Sequence, residues 1–376
     1  MISLVLSGCG AAVSAAAMSY ALIAWRAAAR HPAAAPHMTQ APAVSVLKPL
    51  CGAEPHLYEC LRSFCEQRYR QFQIVCGVRD PHDPAIEVVR RLQRERPEQD
   101  LQLAISSGEH GSNQKVANLI GLLPLARHDY LVIADSDVRV APEYLAALIP
   151  PLEDPRTGIA TCLYRAIPGP GRWSALGCGF VNDWFMPSVR VAAAFGSRAF
   201  AFGATIALRR DTLESIGGFA SIADQLADDY RLGELTRQRG LATVLAAPMV
   251  ETYMVERRLK DLLLHELRWL RTIRAVQPLG YACALPSFGW PVAALGCALA
   301  GAGAGTPAML TVTVLARLML HFEVRDARAA WAQLWLLIPN DLLVFFLWCW
   351  GFMSRRVRWR ETRYRVARDG SAEPLR

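Results

Sequence analysis

The stretch Tyr130 to Val140, reading YLVIADSDVRV, constrains this chain more than any other. Tyr130 to Ala134 is a short apolar, β-rich run that stops abruptly at Asp135-Ser136-Asp137. Strands buried on both faces of a parallel sheet read as unbroken apolar runs, and ligands in such folds bind just beyond the strands' carboxyl ends. Two carboxylates one residue apart at such an end suit a hard divalent cation, which takes carboxylate oxygens together with substrate phosphates. A solvated loop after a core strand gives the same three residues, so the motif gains meaning only from its neighbours.

Those neighbours alternate between strand and helix patterns. Val44 to Leu47 (VSVL) reads as a strand ending at Lys48-Pro49, and Leu57 to Gln67 has helical spacing. Phe72 to Val78 (FQIVCGV) is a second predicted strand, ending at Arg79-Asp80. Pro84 to Arg96 is a predicted helix with proline in its first turn. Leu101 to Ile105 is a third strand, the loop Ser106 to Gln114 is polar, and Lys115 to Leu123 is helical. This order implies a right-handed parallel α/β sheet. Each strand ends in a chemically useful group: Lys48, Asp80, the loop carrying Asn113 and Lys115, then Asp135 and Asp137. Farther on, Gly158 to Tyr164 and Phe202 to Leu208 read as strands, and Asp211 to Ile216 as a helix capped by Gly217-Gly218. Ala227-Asp228-Asp229-Tyr230 opens another helix, where simple capping of the first turn also accounts for the acidic pair.

Charged residues make up 20% of the chain and apolar ones 53%, a balance that suits a globular domain joined to membrane segments. Ile2 to Trp25 carries no charge and is long enough to cross a hydrocarbon core of about 30 Å. No positive charge precedes it, unlike a signal peptide. Arg26 and Arg30 follow, so the positive-inside rule places the next domain in the cytoplasm, after an Ala- and Pro-rich linker from Ala27 to Pro42. Leu259 to Arg274 (LKDLLLHELRWLRTIR) is amphipathic, with His265, Arg268 and Trp269 on one face and Leu262, Leu263 and Leu270 as apolar contacts. A basic amphipathic helix of this kind lies in a membrane interface, with Trp269 as an anchor. From Ala275 to Ala316 there is no charge, and Gly301 to Gly305 with Pro307 allow a turn between two crossings. Ala329 to Met353 is apolar except for Asp341, which at such a depth marks a packed interior or a pathway.

The tail from Ser354 has eight arginines against three acidic residues, which holds it inside. Three crossings after a cytoplasmic domain would put it outside, so the number of crossings stays open. The net charge of +8 lies mainly in the amphipathic helix and this tail, and it suits an anionic membrane surface. Nothing interleaves aromatic and basic residues as a nucleic-acid module does. The ten cysteines include no CxxC pair and are expected to be reduced, buried thiols rather than a zinc site. The chain thus divides into an anchor (1–26), a cytoplasmic domain (43–258), an interfacial helix (259–280), a transmembrane region (281–353) and a basic tail (354–376).

Taken in order, these residues resemble the ceramide glucosyltransferases and, more broadly, the processive and lipid-directed inverting glycosyltransferases. The resemblance covers about Val44 to Tyr281 and returns at Trp359 to Val366 (WRETRYRV). It rests on Leu47-Lys48-Pro49-Leu50, the Arg79 to Ala85 run with Asp80, and Asn113-Gln114-Lys115 with Asn118. Asp135-Ser136-Asp137, Ala227-Asp228-Asp229-Tyr230 and Arg268-Trp269 complete it. The strings FGATIALRR, LADDYRLG and HELRW look most like the bacterial branch associated with hopanoid biosynthesis. Where the family has glutamine four residues before the tryptophan, this chain has His265, which can titrate near neutral pH.

The resemblance implies a nucleotide-sugar-binding, Rossmann-like GT-A domain with a mixed α/β sheet and transmembrane helices at both ends. It implies a multi-pass protein of the bacterial inner membrane, with the catalytic domain cytoplasmic. The donor is then a UDP-sugar, carrying glucose or N-acetylglucosamine, and the acceptor a lipid hydroxyl of ceramide or hopanoid type such as bacteriohopanetetrol. Asp137 is the expected ligand of Mn²⁺ or Mg²⁺, and Asp135 contacts nucleotide, sugar or metal. Lys115 and Arg268 serve the phosphates, and Asp80 faces uracil or ribose near Lys48 and Asn113. Asp229 takes the acceptor's proton, Asp228 serves as a cap, and His265 and Trp269 lie on the acceptor side. In-line displacement without an enzyme nucleophile inverts the anomeric configuration. A polyprenyl-phosphate acceptor, a processive polysaccharide synthase and a catalytically dead membrane scaffold are the competing readings. A hydrolase with paired carboxylates leaves Lys48, Asn113 and Lys115 unexplained.

Overall fold

The computed structural model of the chain describes residues 2–30, 41–106, 108, 110–300, 305–354, 356–359, 362–367 and 370–375. Two compact units divide it: Pro32–Arg165, Arg198–Tyr253 and Tyr364–Arg376 form one, and Met1–His31, Ala166–Ser197 and Met254–Arg363 the other. Most of the expected linker falls at 31–40, outside the described residues, as do Arg360 and Glu361 of WRETRYRV.

The first unit is built on an eight-stranded sheet. Its strands are β1 (Val44–Pro49), β2 (Phe72–Val78), β3 (Leu101–Ile105), β4 (Tyr130–Ala134), β5 (Val138–Arg139), β6 (Thr157–Pro168), β7 (Thr205–Arg209) and β8 (Ala242–Met254). They lie in the order β3-β2-β1-β4-β7-β6-β8-β5. β3, β2, β1 and β4 pair in parallel, so the four carboxyl ends singled out from the sequence share one edge of the sheet. Past β4 the expectation of a parallel sheet fails. β7 runs antiparallel to β4, with Ala134 opposite Thr205, and β6 runs antiparallel to β7. The sheet is therefore mixed, as the resemblance implied.

The largely apolar runs have a plain cause: successive strand residues face opposite ways and both faces are covered. Val46 and Ile74 pack with Leu61, Phe64, Val89 and Leu92, from the helices Leu57–Cys65 and Ala85–Glu95. Their neighbours Leu47 and Val75 pack with Val116, Leu119 and Leu122 of the helix Gln114–Leu122. Fully burying each such aliphatic side chain contributes about 1.5–3 kcal/mol.

The second unit is helical and apolar. Among the described residues, two of its helices are long and apolar enough to cross a membrane, Ser3–Ala29 and Ala327–Gly351, at the places expected for the anchor and the last apolar stretch. The uncharged run 275–316 is divided among Pro278–Cys283, the turn Leu285–Phe288, Trp290–Ala300 and the start of Thr306–Glu323. Of its expected glycine turn, residues 301–304 lie outside those described. Asp341 is packed rather than exposed: it accepts from Arg317 Nε at 2.9 Å and Nη2 at 2.7 Å, and from Trp290 Nε1 at 3.0 Å.

The N-terminal helix and Trp290–Ala300 approach through small residues, the usual way of bringing apolar helices close. A Cβ on Gly10 would sit 2.4 Å from the Gly296 carbonyl oxygen, and one on Gly296 would sit 2.4 Å from Ser14 Oγ. Ser14 Oγ also donates to the Ala293 carbonyl at 3.2 Å. Gly296→Val should therefore force these helices apart and cost about 1–3 kcal/mol by overpacking. The check is thermal unfolding in detergent, where an unchanged midpoint would contradict the close approach.

Candidate active site

β4 ends at Ala134, and the chain turns through Asp135, Ser136 and Asp137 into β5. The turn is held from below. Lys48, at the end of β1, is fully buried, donates from Nζ to the Asp135 carbonyl, and lies 4.1 Å from the centre of the Phe64 ring. Burial lowers its pKa from the ordinary lysine value, against the pull of Cys60, Cys76, Asp137 and Asp135. So enclosed, Lys48 supports the acidic turn from the end of β1. Ser136 Oγ donates to Glu54 at 2.6 Å, and Thr252 Oγ1 donates to Asp137 Oδ2 at 2.5 Å. Burial, with the Asp135 charge adding to it, pushes Asp137 up to about 6.

Lys115 joins this turn to the second acidic pair. Its ammonium lies 2.7 Å from Asp135 Oδ1 and 3.4 Å from Asp228 Oδ2. Burial pulls its pKa down, yet Asp135, Asp228 and Asp229 together outweigh burial and hold it above the ordinary lysine value. The lysine is aimed by Asn113, whose side-chain oxygen accepts from the backbone N–H of Lys115 at 3.0 Å and of Val116 at 3.2 Å. This is an N-cap, which satisfies donors that a helix start leaves unpaired. The Asn113 amide nitrogen donates to the Gln225 carbonyl at 2.7 Å. Asn113 therefore pins two loops together, and it is almost wholly buried.

Asp228 and Asp229 begin the helix Asp228–Gln238. The expected capping role of Asp228 is not what is found: its carboxylate pairs with Lys115, and Ala227 at the cap position makes no side-chain bond. Asp229 Oδ2 accepts from the Gly203 N–H at 2.8 Å and Oδ1 from the Tyr230 N–H at 2.7 Å. Burial first, then the neighbouring Asp228, raises its pKa above the usual carboxylate range, with Lys115 and the two backbone donors opposing. The C-terminal tail braces the loop before it: Leu226 N–H donates to the Gly370 carbonyl at 3.0 Å, and Gln225 bridges to Ser371.

The structure thus joins Lys48, Asn113, Lys115, Asp135, Asp137 and Asp229 through shared contacts or direct electrostatic coupling. Asp80 is exposed just past β2, accepting from the His82 N–H at 2.8 Å, with no hydrogen bond or ion pair to that group. His265, Arg268 and Trp269 belong to the helical unit. There His265 Nδ1 meets Glu256, and its ring lies edge-on to Trp269 at 4.5 Å. Trp269 also packs on Phe180 at 5.5 Å. Sequence reasoning missed Thr252 and Glu54. Thr252 lies on β8, a strand hidden by Pro248 in its middle, and Glu54 sits in a loop without periodicity.

Among the described residues no three His, Cys, Asp or Glu side chains form a metal-binding set. The residues present nonetheless fit Mg²⁺ or Mn²⁺ as bound beside a phosphate, where one or two carboxylates suffice. The raised pKa of Asp137, set by burial and then by the Asp135 charge, is one that a bound cation would lower.

The sequence model of glycosyl transferase family 21 matches residues 9–372. Ceramide glucosyltransferase 1 of Caenorhabditis elegans is 25% identical over 213 residues, 54% of this chain and 44% of that protein. The ceramide glucosyltransferase of Candida albicans is 36% identical over 107 residues, 25% of this chain and 20% of that protein. The chain thus spans less than half the length of these curated relatives. A mannosyltransferase of Pyrobaculum calidifontis, solved with GDP-Man and Mn²⁺, superposes with a TM-score of 0.55 at 21% identity. The match covers 94% of this chain and 99% of that one, and it bears out the GT-A sheet domain as the fold.

A carboxyl group whose folded pKa lies above its unfolded value binds more protons when folded, so stability falls as pH rises from about 4 to about 6. At pH 7 in EDTA, Asp137→Asn should therefore be roughly 1–3 kcal/mol more stable than the parent. Adding Mn²⁺ with a nucleotide sugar should stabilise the parent and not the variant. Equal unfolding midpoints under both conditions would count against Asp137 as the cation's ligand.

Proposed function

The chain belongs to glycosyl transferase family 21, and from that membership we propose that it is a membrane-bound inverting glycosyltransferase. It moves a hexose from a UDP-sugar to the hydroxyl of a membrane lipid. The observation that carries this reading is the placing of Lys115 between Asp135 and Asp228, electrostatically coupled to Asp229. One side suits a leaving diphosphate and the other suits a base.

A divalent cation held by Asp137 with Asp135, and by the donor's phosphate oxygens, would neutralise charge on the leaving group. Lys115 adds a cation of its own beside Asp135, and Lys48 fixes the backbone on which both carboxylates turn. Asp229 is held by two backbone donors and takes the proton of the attacking hydroxyl. Its raised pKa makes it a better base than a solvated carboxylate. Direct displacement then leaves a β-linked product from an α-linked donor.

The names of the curated relatives support glucose as the sugar and a ceramide-type lipid as acceptor. A hopanoid polyol is the second acceptor to test, for the strings noted above. The helical unit supports a membrane setting, since Trp331, Trp335, Phe346 and Trp350 are all more than half exposed on apolar helices. Incubating the full chain with labelled UDP-glucose and UDP-N-acetylglucosamine, against ceramide and bacteriohopanetetrol, tests the reading by mass spectrometry of the lipid. No labelled lipid in any combination would overturn it.

Two variants test the base. Asp229→Asn should lose transfer by at least a thousandfold while still binding UDP-sugar, and substantial turnover would remove Asp229 from the role. Because the base must be ionised, kcat/KM should rise with pH through the Asp229 pKa. Asp228→Asn removes a charge that raises that pKa, so the acid limb should move to lower pH by roughly half a unit to one unit. A limb that stays in place would assign it to another group.

A further inference from the structure

Within the helical unit one carboxyl group is built in without partners. Glu266 is 1% exposed, on the buried face of the helix Leu259–Val276 with Leu262, Leu267 and Leu270. Neither of its oxygens meets a hydrogen-bond partner among the described residues. Burying a polar group so costs free energy, and an unpaired one in a native protein calls for a reason. The neighbouring charge that acts on it is that of Glu256, which itself holds His265. Burial and that neighbour raise the Glu266 pKa well above the ordinary value, and in its protonated form the carboxyl can both donate and accept.

The His265 side chain is 25% exposed and that of Glu256 10%. An aromatic row starts at the same place: His265 on Trp269 at 4.5 Å, Trp269 on Phe180 at 5.5 Å, Phe180 on Trp184 at 5.0 Å, and Trp184 stacked on Phe288 at 5.6 Å. A buried, unpartnered carboxyl one residue along the helix from an aromatic row matches an amphiphile: a head rich in hydrogen-bond donors and an apolar body.

We propose that the helical unit holds the lipid acceptor here, with Glu266 bonding a hydroxyl or amide N–H of its head and the aromatic row lining its apolar part. This rests on the reading of the chain as a lipid glycosyltransferase and names the residue that selects the lipid head. Glu266 touches no sugar donor in this scheme, so its removal affects one substrate alone.

The test uses the full chain in detergent with short-chain ceramide and UDP-glucose. Glu266→Leu keeps the size and removes the polar atoms. KM for ceramide should rise at least tenfold, with KM for UDP-glucose within twofold and the unfolding midpoint no lower than the parent's. An unchanged ceramide KM in the folded variant would show a plain core carboxyl and overturn the inference.

Labelling of the unaltered protein with dicyclohexylcarbodiimide, which attacks neutral carboxyls in apolar surroundings, gives a reading that needs no variant. Ceramide should protect Glu266 at least fivefold by peptide mass spectrometry, and UDP-glucose should not. Absence of protection overturns the inference even if the variant fails to fold. If the parent transfers sugar to no lipid, the proposed function falls instead, and protection by ceramide would still be read separately.

Discussion

One ammonium group governs the acidic edge of the sheet. Lys115 is the cation placed between Asp135 and Asp228 and coupled to Asp229, in a setting where each ionised carboxyl is costly unless matched. A contact at about 3 Å is worth on the order of 5 kcal/mol at an effective dielectric of about 20, before desolvation is subtracted. A single ammonium cannot give that to every carboxylate at once. The shortfall appears at the carboxyls Lys115 does not touch directly: burial and then like charge raise Asp137, and burial and then Asp228 raise Asp229 despite the pull of Lys115. The same shortage thus creates a place for a further cation at one end and a stronger base at the other.

Much of this was legible because the first four strands obey simple rules. Phe72–Val78, Leu101–Ile105 and Tyr130–Ala134 have the bounds their apolar runs suggest, with Gln73 and Gln102 as the glutamines inside them. The carboxyl-end rule then found Asp80, Asn113, Lys115, Asp135 and Asp137 without knowledge of pairing. It did not separate residues that face a cavity from residues that support one. Lys48 and Asn113 are buried, and their work is to hold the acidic turn and the Lys115 helix start. That distinction depends on what lies above each side chain, which spacing along the chain does not encode. β8 was hidden for a different reason: tertiary pairing tolerates Pro248 where a local pattern rejects it.

In the helical unit the informative residues are the charged ones. Asp341 stood out as the lone acid in an apolar stretch, and its partners Arg317 and Trp290 come from two other helices. Arg317 also approaches Asp183 at 3.5 Å, and Asp183 takes Arg325 Nη1 at 2.5 Å and Nη2 at 2.6 Å. Two arginines against two aspartates leave no net charge, which is how an apolar bundle keeps ionised groups. Asp183 lies in the π-helical turn Phe180–Phe185, whose Phe180 also carries the aromatic row. Nothing in the local sequence pairs Asp183 with Arg325, 142 positions away.

The contrast between the two units is itself a functional argument. In the helical unit Asp183 and Asp341 are matched by Arg317 and Arg325, while among the described residues the Glu266 carboxyl has no hydrogen-bond partner on its buried helix face. In the sheet unit the unmatched groups are Asp137 and Asp229, both held by hydrogen bonds that orient them without neutralising them. Orientation without neutralisation costs stability in the empty protein and is regained only when a ligand of complementary charge or donor pattern arrives. A fold selected for stability alone would replace each of these carboxyls by an apolar or amide side chain of similar size. Their retention at three separate points fits three separate binding events: a cation with its diphosphate, a hydroxyl to be deprotonated, and a lipid head to be held.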